Sequence, residues 1–271
     1  MDGQNNLQRN LLKELSEQTE SVVNHAKNKY PERLWMFEVQ RAYWQNAYNA
    51  HKEGRKLIMH GPNMPPELIY AFDAVPFMLD TVPTRIASSK EGAARYIDIA
   101  EKYVPSTMCA LDKTDIGAIL SGDIEKPDAI IYASAPCDSQ RSAYPAIADY
   151  LGIPSYCIDA PYRRDKQGIA YIADEMRGAV KFLEEVTGTK LDRNKFVQVI
   201  ENSNRAYELL GKIAELRQNV PCPLPGRLLV LNELFAGMVG SVEIIDFLEV
   251  QYNIGKEKAD RKEGCIEGKE K

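Results

Sequence analysis

The chain has 271 residues, 44% hydrophobic and 27% charged, with a formal net charge of −5 and an isoelectric point near 5.5. That is ordinary globular composition, enough for one large domain or two small ones, and its acidic balance excludes the basic footprint of a nucleic-acid surface. No apolar run is long enough to span a bilayer, and the polar, acid-bearing start "MDGQNNLQRNLLKELSEQ" does not read as a signal peptide, so the expected compartment is the cytoplasm. Five cysteines in a reducing compartment are not expected to form a disulfide framework; core packing, catalysis and metal ligation stay open for each.

Leu7, Leu11, Leu12, Leu15, Val22 and Val23 recur at three- and four-residue spacing and predict a first helix. Pro31 breaks the pattern, and "LWMFEVQRAYWQNAYNAHKEG" resumes it as far as Gly54, a C-cap residue. Its aromatics Trp35, Phe37, Tyr43, Trp44 and Tyr48 are expected in the core rather than on a ligand platform. From Arg55 the rhythm shortens. "RKLIMH" reads as a buried strand, "PPELIYAFDA" as a helix opened by prolines, and "VPFML" as a second strand. Residues 89–103 are read as helical, as is "DKTDIGAILSG", closed by Gly122. "PDAIIYASA" is the clearest strand; the helix "SQRSAYPAIADYLG" and the strand "IPSYCIDA" follow it.

Strands alternating with helices of this length predict an α/β fold, a parallel doubly wound (flavodoxin-like) sheet with helices on both faces. Beyond Pro161 the pattern is helical, with breaks at Gly188 and "PCPLPGR", until about Ile254. The expected organisation is an N-terminal helical segment (1–54), an α/β domain (55–165), a helical region (166–254) and a charged tail or linker (255–271).

Two cysteines stand where such folds keep their chemistry. Cys137, in "SAPCDSQ", lies between a strand's carboxyl end and the next helix; Cys109, in "PSTMCALDKTDIG", lies just before another helix. In open α/β sheets the ligand crevice lies outside the carboxyl ends of the strands, and a helix N-terminus favours thiolate over thiol. Both thiols therefore suit metal ligation, although the twenty-seven residues between them match no CxxC-type motif, and inert thiols are the alternative. Cys157 is read as a core residue, Cys222 as part of a proline-rich turn, and Cys265 as a solvent-facing thiol of the tail.

His60 ends the first strand, so its ring either faces the crevice or is a satisfied structural histidine. Glu67 opens the following helix, where it either complements the dipole or acts as a crevice acid that positions substrate or moves a proton. Asp159 ends the last strand on the same side, and Asp138 and Ser139 are expected to cap the helix after Cys137. Histidine-based zinc motifs, GxGxxG, GxxxxGK[ST] and GxSxG are all absent from the sequence, so it carries no dinucleotide fingerprint, ATP loop or nucleophile elbow of its own.

Taken together, "HGPNMPPELIYAFDAVPF", "STMCALDKTDIGAILSG" and "KPDAIIYASAPCDSQRSAYPAIADYLGIPSYCIDAPY" resemble, collinearly over roughly residues 55–165, the 2-hydroxyacyl-CoA dehydratase subunits and the related benzoyl-CoA reductase subunits. The resemblance implies two α/β domains per subunit, with three cysteine thiolates holding a [4Fe–4S] cluster. Cys109 and Cys137 match the first two ligands; the third would lie in a second domain beyond this sequence, so the chain reads as an N-terminal portion. By their places at the crevice, Glu67 is the candidate catalytic residue and His60 and Asp159 are candidate substrate contacts. The implied reaction is lyase chemistry in an anaerobic cytoplasm. A 2-hydroxyacyl-CoA loses water through a ketyl radical after an ATP-hydrolysing iron–sulfur activator protein injects one electron. A second dehydratase subunit, making a heterodimer, is the implied partner. The alternatives are a benzoyl-CoA reductase-type subunit and a non-catalytic partner-binding module.

Overall fold

Two helices precede the sheet, as the leucine spacing predicts. The computed structural model describes residues 9–89, 92–231 and 236–266. Leu7, part of "LNELFAG" and the last five residues of the expected tail lie outside the described residues. Helix α1 (Leu11–Lys29) starts at Asn10, whose side chain accepts the Lys13 N–H at 2.9 Å, and it buries Leu11, Leu12, Leu15 and Val23. Helix α2 (Leu34–Asn49) buries Tyr43 and Trp44. The Tyr43 hydroxyl accepts the backbone N–H of Met78 at 3.0 Å, which fixes α2 to the second strand.

The sheet has four strands: β1 (Leu57–His60), β2 (Val75–Met78), β3 (Ala129–Ala133) and β4 (Ser155–Ile158). All are parallel, in the order β2-β1-β3-β4. Side chains alternate between the faces. Leu57, Met59, Val75, Phe77, Ile130 and Tyr132 enter one core with residues of α1 and α2, while Ile58, Ala129, Ile131 and Ile158 enter a second with Ala179 and Leu183. Helices thus cover both faces, and the expected doubly wound sheet is the one observed.

The connections are α3 (Glu67–Tyr70), α4 (Thr81–Ala87), α5 (Ala94–Ala100), α6 (Ala110–Leu120) and α7 (Asp138–Leu151). Helices α8 (Lys166–Thr187), α9 (Arg193–Leu216), α10 (Arg227–Val230) and α11 (Val242–Asp260) come after β4. Gly152 and Gly188 close α7 and α8 in the left-handed conformation. Helix α6 lies so close to α5 that a Cβ on Gly117 would sit 2.0 Å from the Tyr96 carbonyl oxygen. No helix among the described residues is long and apolar enough to cross a membrane.

Several expectations need correction. Helix α4 is not foreseen, because Pro83 interrupts its pattern; proline is tolerated there in the first turn, where its missing N–H has no intrahelical acceptor. The helix expected over 89–103 is regular only across Ala94–Ala100. Cys157 is half-buried rather than core, since β4 is the sheet's edge and exposes Ser155. Helix α11 runs on to Asp260, and the Cys265 N–H donates to the Cys222 carbonyl at 2.8 Å, tying the start of the tail to the proline-rich turn. Cys265 is consequently half-buried rather than solvent-facing.

Candidate functional site at the carboxyl edge of the sheet

From β1 the chain passes to β2 on one side of it, then returns to place β3 on the other. The loops leaving β1 and β3 diverge at that reversal, which is where doubly wound sheets open a ligand crevice. Cys137 follows β3 and is the N-cap of α7; Cys109 is the N-cap of α6. Cys109 is exposed and Cys137 half-buried, and both are free thiols. Helices α6 and α7 pack against each other. Asp112, in the first turn of α6, lies beside Ser139, in the first turn of α7. Both cysteines therefore open at the same end of neighbouring helices. The cap of α7 is Cys137 itself, not Asp138 or Ser139 as expected: Asp138 is the first helical residue and pairs with Arg141 at 3.1 Å.

Glu67 is 8% exposed, and one of its carboxylate oxygens accepts the hydroxyl of Ser203, on α9, at 2.6 Å. Gly240, at φ +99°, presses on the same group; a Cβ there would come within 3.4 Å of Glu67 Cγ and 2.7 Å of Val199. The carboxylate borders a cavity of about 290 Å3 after β1, lined also by Pro62, Asn63, Met64, Tyr207 and Val239. The C-terminal helical region thus belongs to the site: it fixes the side chain that the sequence singles out. A larger hollow of about 640 Å3 lies at the far ends of α6 and α7, against Leu120, Ser121, Tyr150 and Leu151, away from both thiols.

His60 is sealed from solvent. Its Nδ1–H donates to the Gly61 carbonyl at 2.9 Å, its Nε2 has no partner, and burial lowers its pKa to about 4, leaving a neutral ring. Asp159 lies past β4 and accepts hydroxyls from Ser134, at the end of β3, at 2.6 Å and from Tyr171 at 2.7 Å. Those two bonds hold its carboxyl below the ordinary range. Ser134 also accepts the Ala160 N–H at 2.9 Å, so the ends of β3 and β4 are cross-braced beside Cys137.

The structure also assembles a group that the sequence does not reveal. Asp80, just past β2, meets Asp112 and Asp115 of α6, with one oxygen of each within 4.8 Å of the others. Tyr144 donates to Asp80 at 2.7 Å and Gln140 at 2.9 Å. Asp112 and Asp115 are 1% and 0% exposed; the Asp115 oxygens have no hydrogen-bond partner, and Asp112 has only the Ser139 hydroxyl beside it, short of good hydrogen-bond geometry. Burial raises all three carboxyl pKa values, Asp115 most, with the Asp80 and Asp112 charges adding to it. Only the i, i+3 spacing of Asp112 and Asp115 hints at this from sequence, and an acid in a first helical turn, as Asp112 is, ordinarily serves the dipole.

Lys113 anchors the loop that carries Cys109: its buried ammonium reaches Glu101 at 2.6 Å and the Ser106 carbonyl at 2.7 Å. Two free thiols at adjacent helix N-termini suit iron–sulfur ligation, which uses cysteine thiolates. Of the other cysteines, Cys157 lies on the edge strand and Cys222 and Cys265 at the proline-rich turn, so neither location repeats this arrangement.

A parallel doubly wound sheet with two free thiols capping neighbouring helices defines the class of protein: an α/β domain with cysteines at the carboxyl edge of its sheet. Residues 63–271 match the family model described as 2-hydroxyglutaryl-CoA dehydratase, D-component, and the chain belongs to that family. It is 26% identical over 206 residues to lactoyl-CoA dehydratase subunit alpha of Anaerotignum propionicum, covering 67% of this chain and 49% of that one. To the (R)-2-hydroxyisocaproyl-CoA dehydratase alpha subunit of Clostridioides difficile it is 28% identical, covering 59% and 41%. To a benzoyl-CoA reductase subunit of Thauera aromatica it is 21% identical, covering 67% and 45%. The chain spans about half the length, or less, of these curated relatives.

Proposed function

We propose that this chain is the crevice-bearing part of a 2-hydroxyacyl-CoA dehydratase subunit, in which Cys109 and Cys137 donate two thiolates to a [4Fe–4S] cluster. The observation that carries this reading is the placement of both thiols as N-caps at the same end of packed helices. A third thiolate comes from outside this sequence, as the half-length coverage of the relatives accommodates. When bound between these thiolates, the cluster would supply single-electron chemistry toward the acyl thioester, with an ATP-hydrolysing iron–sulfur activator as its electron source.

The chain's own residues bind, orient and move protons around that event. Glu67 is fixed by Ser203 at the cavity wall and is the group that takes or returns a proton. Asp159, held ionised by Ser134 and Tyr171, presents a fixed acceptor at the crevice rim for a polar group of the substrate. Neutral His60, fully buried, holds the end of β1 through its Gly61 bond and keeps an unpaired acceptor nitrogen. The net reaction converts a 2-hydroxyacyl-CoA into a 2-enoyl-CoA and water in an anaerobic cytoplasm, with a second dehydratase subunit as partner.

The match to a benzoyl-CoA reductase subunit favours one other reading, the same electron delivery directed at an aryl ring. Product analysis with a 2-hydroxyacyl-CoA and an aryl-CoA separates the two. The cluster reading is tested by anaerobic reconstitution with iron and sulfide, with and without the partner subunit, following the thiolate-to-iron absorption near roughly 400 nm. Loss of that band in both Cys109→Ala and Cys137→Ala supports it. A full band in either variant contradicts it.

A further inference from the structure

The Asp80–Asp112–Asp115 cluster has no part in the roles proposed above, although Asp115 is close enough to Cys109 to feel its charge, and protein partners alone do not balance it. Three carboxylates share a buried volume with no basic side chain among their hydrogen-bond partners; the nearest lysine in sequence, Lys113, is engaged by Glu101 and Ser106. Asp80 is oriented by two donors, Tyr144 and Gln140, and its oxygens keep lone pairs free. Asp112 and Asp115 are different. Their four oxygens are shut off from solvent; those of Asp115 receive no hydrogen bond, and Asp112 has only the neighbouring Ser139 hydroxyl, short of good hydrogen-bond geometry. Leaving charged oxygens in that state costs several kcal/mol per group.

Two agents relieve such a cost, protons or a cation. Protons neutralise the carboxyls one at a time, whereas a cation serves one oxygen from each carboxylate at once and cancels their mutual repulsion. The spacing suits the second. Even three oxygens at the full 4.8 Å from one another lie only about 2.8 Å from a common centre, so a shift of under about 1 Å in each carboxylate brings them to the roughly 2.1 Å of a Mg2+–oxygen bond. An all-oxygen, all-carboxylate donor set selects hard ions over the soft metals that thiolates prefer.

We infer that Asp80, Asp112 and Asp115 form a binding site for one hard divalent cation of the Mg2+/Mn2+ class, tying the corner between β2 and α4 to the first two turns of α6. The ion braces the helix whose N-cap is Cys109 against the strand beside it, with Tyr144 and Gln140 of α7 holding Asp80 in place as a ligand. The site stands whether or not the thiols hold a cluster.

The test uses the full chain stripped of metal with a chelator and titrated with Mn2+, the free ion being followed by its electron paramagnetic resonance signal. One Mn2+ per chain, displaced by Mg2+, is expected, together with a rise in melting temperature on loading. Asp112→Asn and Asp115→Asn should each weaken Mn2+ by at least about tenfold while raising the melting temperature of the metal-free protein, since each removes a buried charge. Should either variant fail to fold, Asp80→Asn reads the same loss from the strand side. No stoichiometric Mn2+ binding, or binding that survives all of these substitutions, overturns the site and leaves proton sharing as the remedy.

Discussion

Gly117→Ala wedges α5 away from α6, the helix that begins at Cys109. An added Cβ would meet the Tyr96 carbonyl oxygen at 2.0 Å, about 1.4 Å short of ordinary contact, with the carbonyl carbon at 2.5 Å and Cα at 2.7 Å. The obstacle is backbone, so no rotamer change relieves it, and α5 must retreat as a unit. Overpacking of this kind costs about 3 kcal/mol at the upper end of its usual range. Alanine returns about 1 kcal/mol over glycine inside a helix, which leaves a net loss of about 2 kcal/mol. For a chain of this size that is a fall of about 4–8 °C in melting temperature. Gly211→Ala on α9 is the matched control: nothing lies within 4 Å of its added Cβ, so only the helix term of about 1 kcal/mol acts and the melting temperature rises by about 2–4 °C. Thermal unfolding followed by circular dichroism reads both variants. Equal shifts of the two, or a Gly117→Ala protein as stable as the parent, would refute the close approach of α5 and α6.

Two further predictions concern polar groups. His51 bridges Glu125 at 2.6 Å and Asp128 at 2.9 Å beneath the sheet. Burial lowers its pKa, but the hydrogen bonds to those carboxylates outweigh it and the net shift is upward. Its stabilisation is therefore complete below its unfolded value of about 6.5 and lost as pH rises through the higher folded value. The melting-temperature gap between the parent and His51→Gln should be widest near pH 5.5 and narrow toward pH 8.5; a gap that is flat or widens contradicts the bridge. Ser203→Ala leaves the buried Glu67 carboxylate without its donor and should cost about 1–2 kcal/mol in denaturant unfolding. That cost should largely vanish in a Glu67→Ala background; a purely additive pair shows that the bond contributes nothing.

Much of the sheet is legible in the sequence because buried parallel strands are short apolar runs between glycines and prolines, as in "RKLIMH" and "PDAIIYASA". The cysteine positions are legible for a related reason: a residue between such a run and a helical pattern has few places to be except a helix start. What escapes is whatever depends on neighbours distant in sequence. Cys157 reads as core until the strand order makes β4 an edge. Asp138 and Ser139 read as caps because their side chains suit the role, yet the backbone enters α7 one residue earlier. Asp80 and Asp112 are thirty-two positions apart, and only the packing of α6 against the end of β2 brings them together. Ser203 gives no signal at all, since its partner Glu67 lies across the sheet connection in another segment.

Every role proposed for the crevice depends on Cys109 and Cys137 opening onto one mouth. Treating the folded protein with a short bis-maleimide and mapping the linked peptides by mass spectrometry measures this directly. The structure predicts that a Cys109–Cys137 crosslink forms within single chains and disappears when either cysteine is replaced by alanine. Both thiols alkylated singly, with no linked peptide between them, would contradict it.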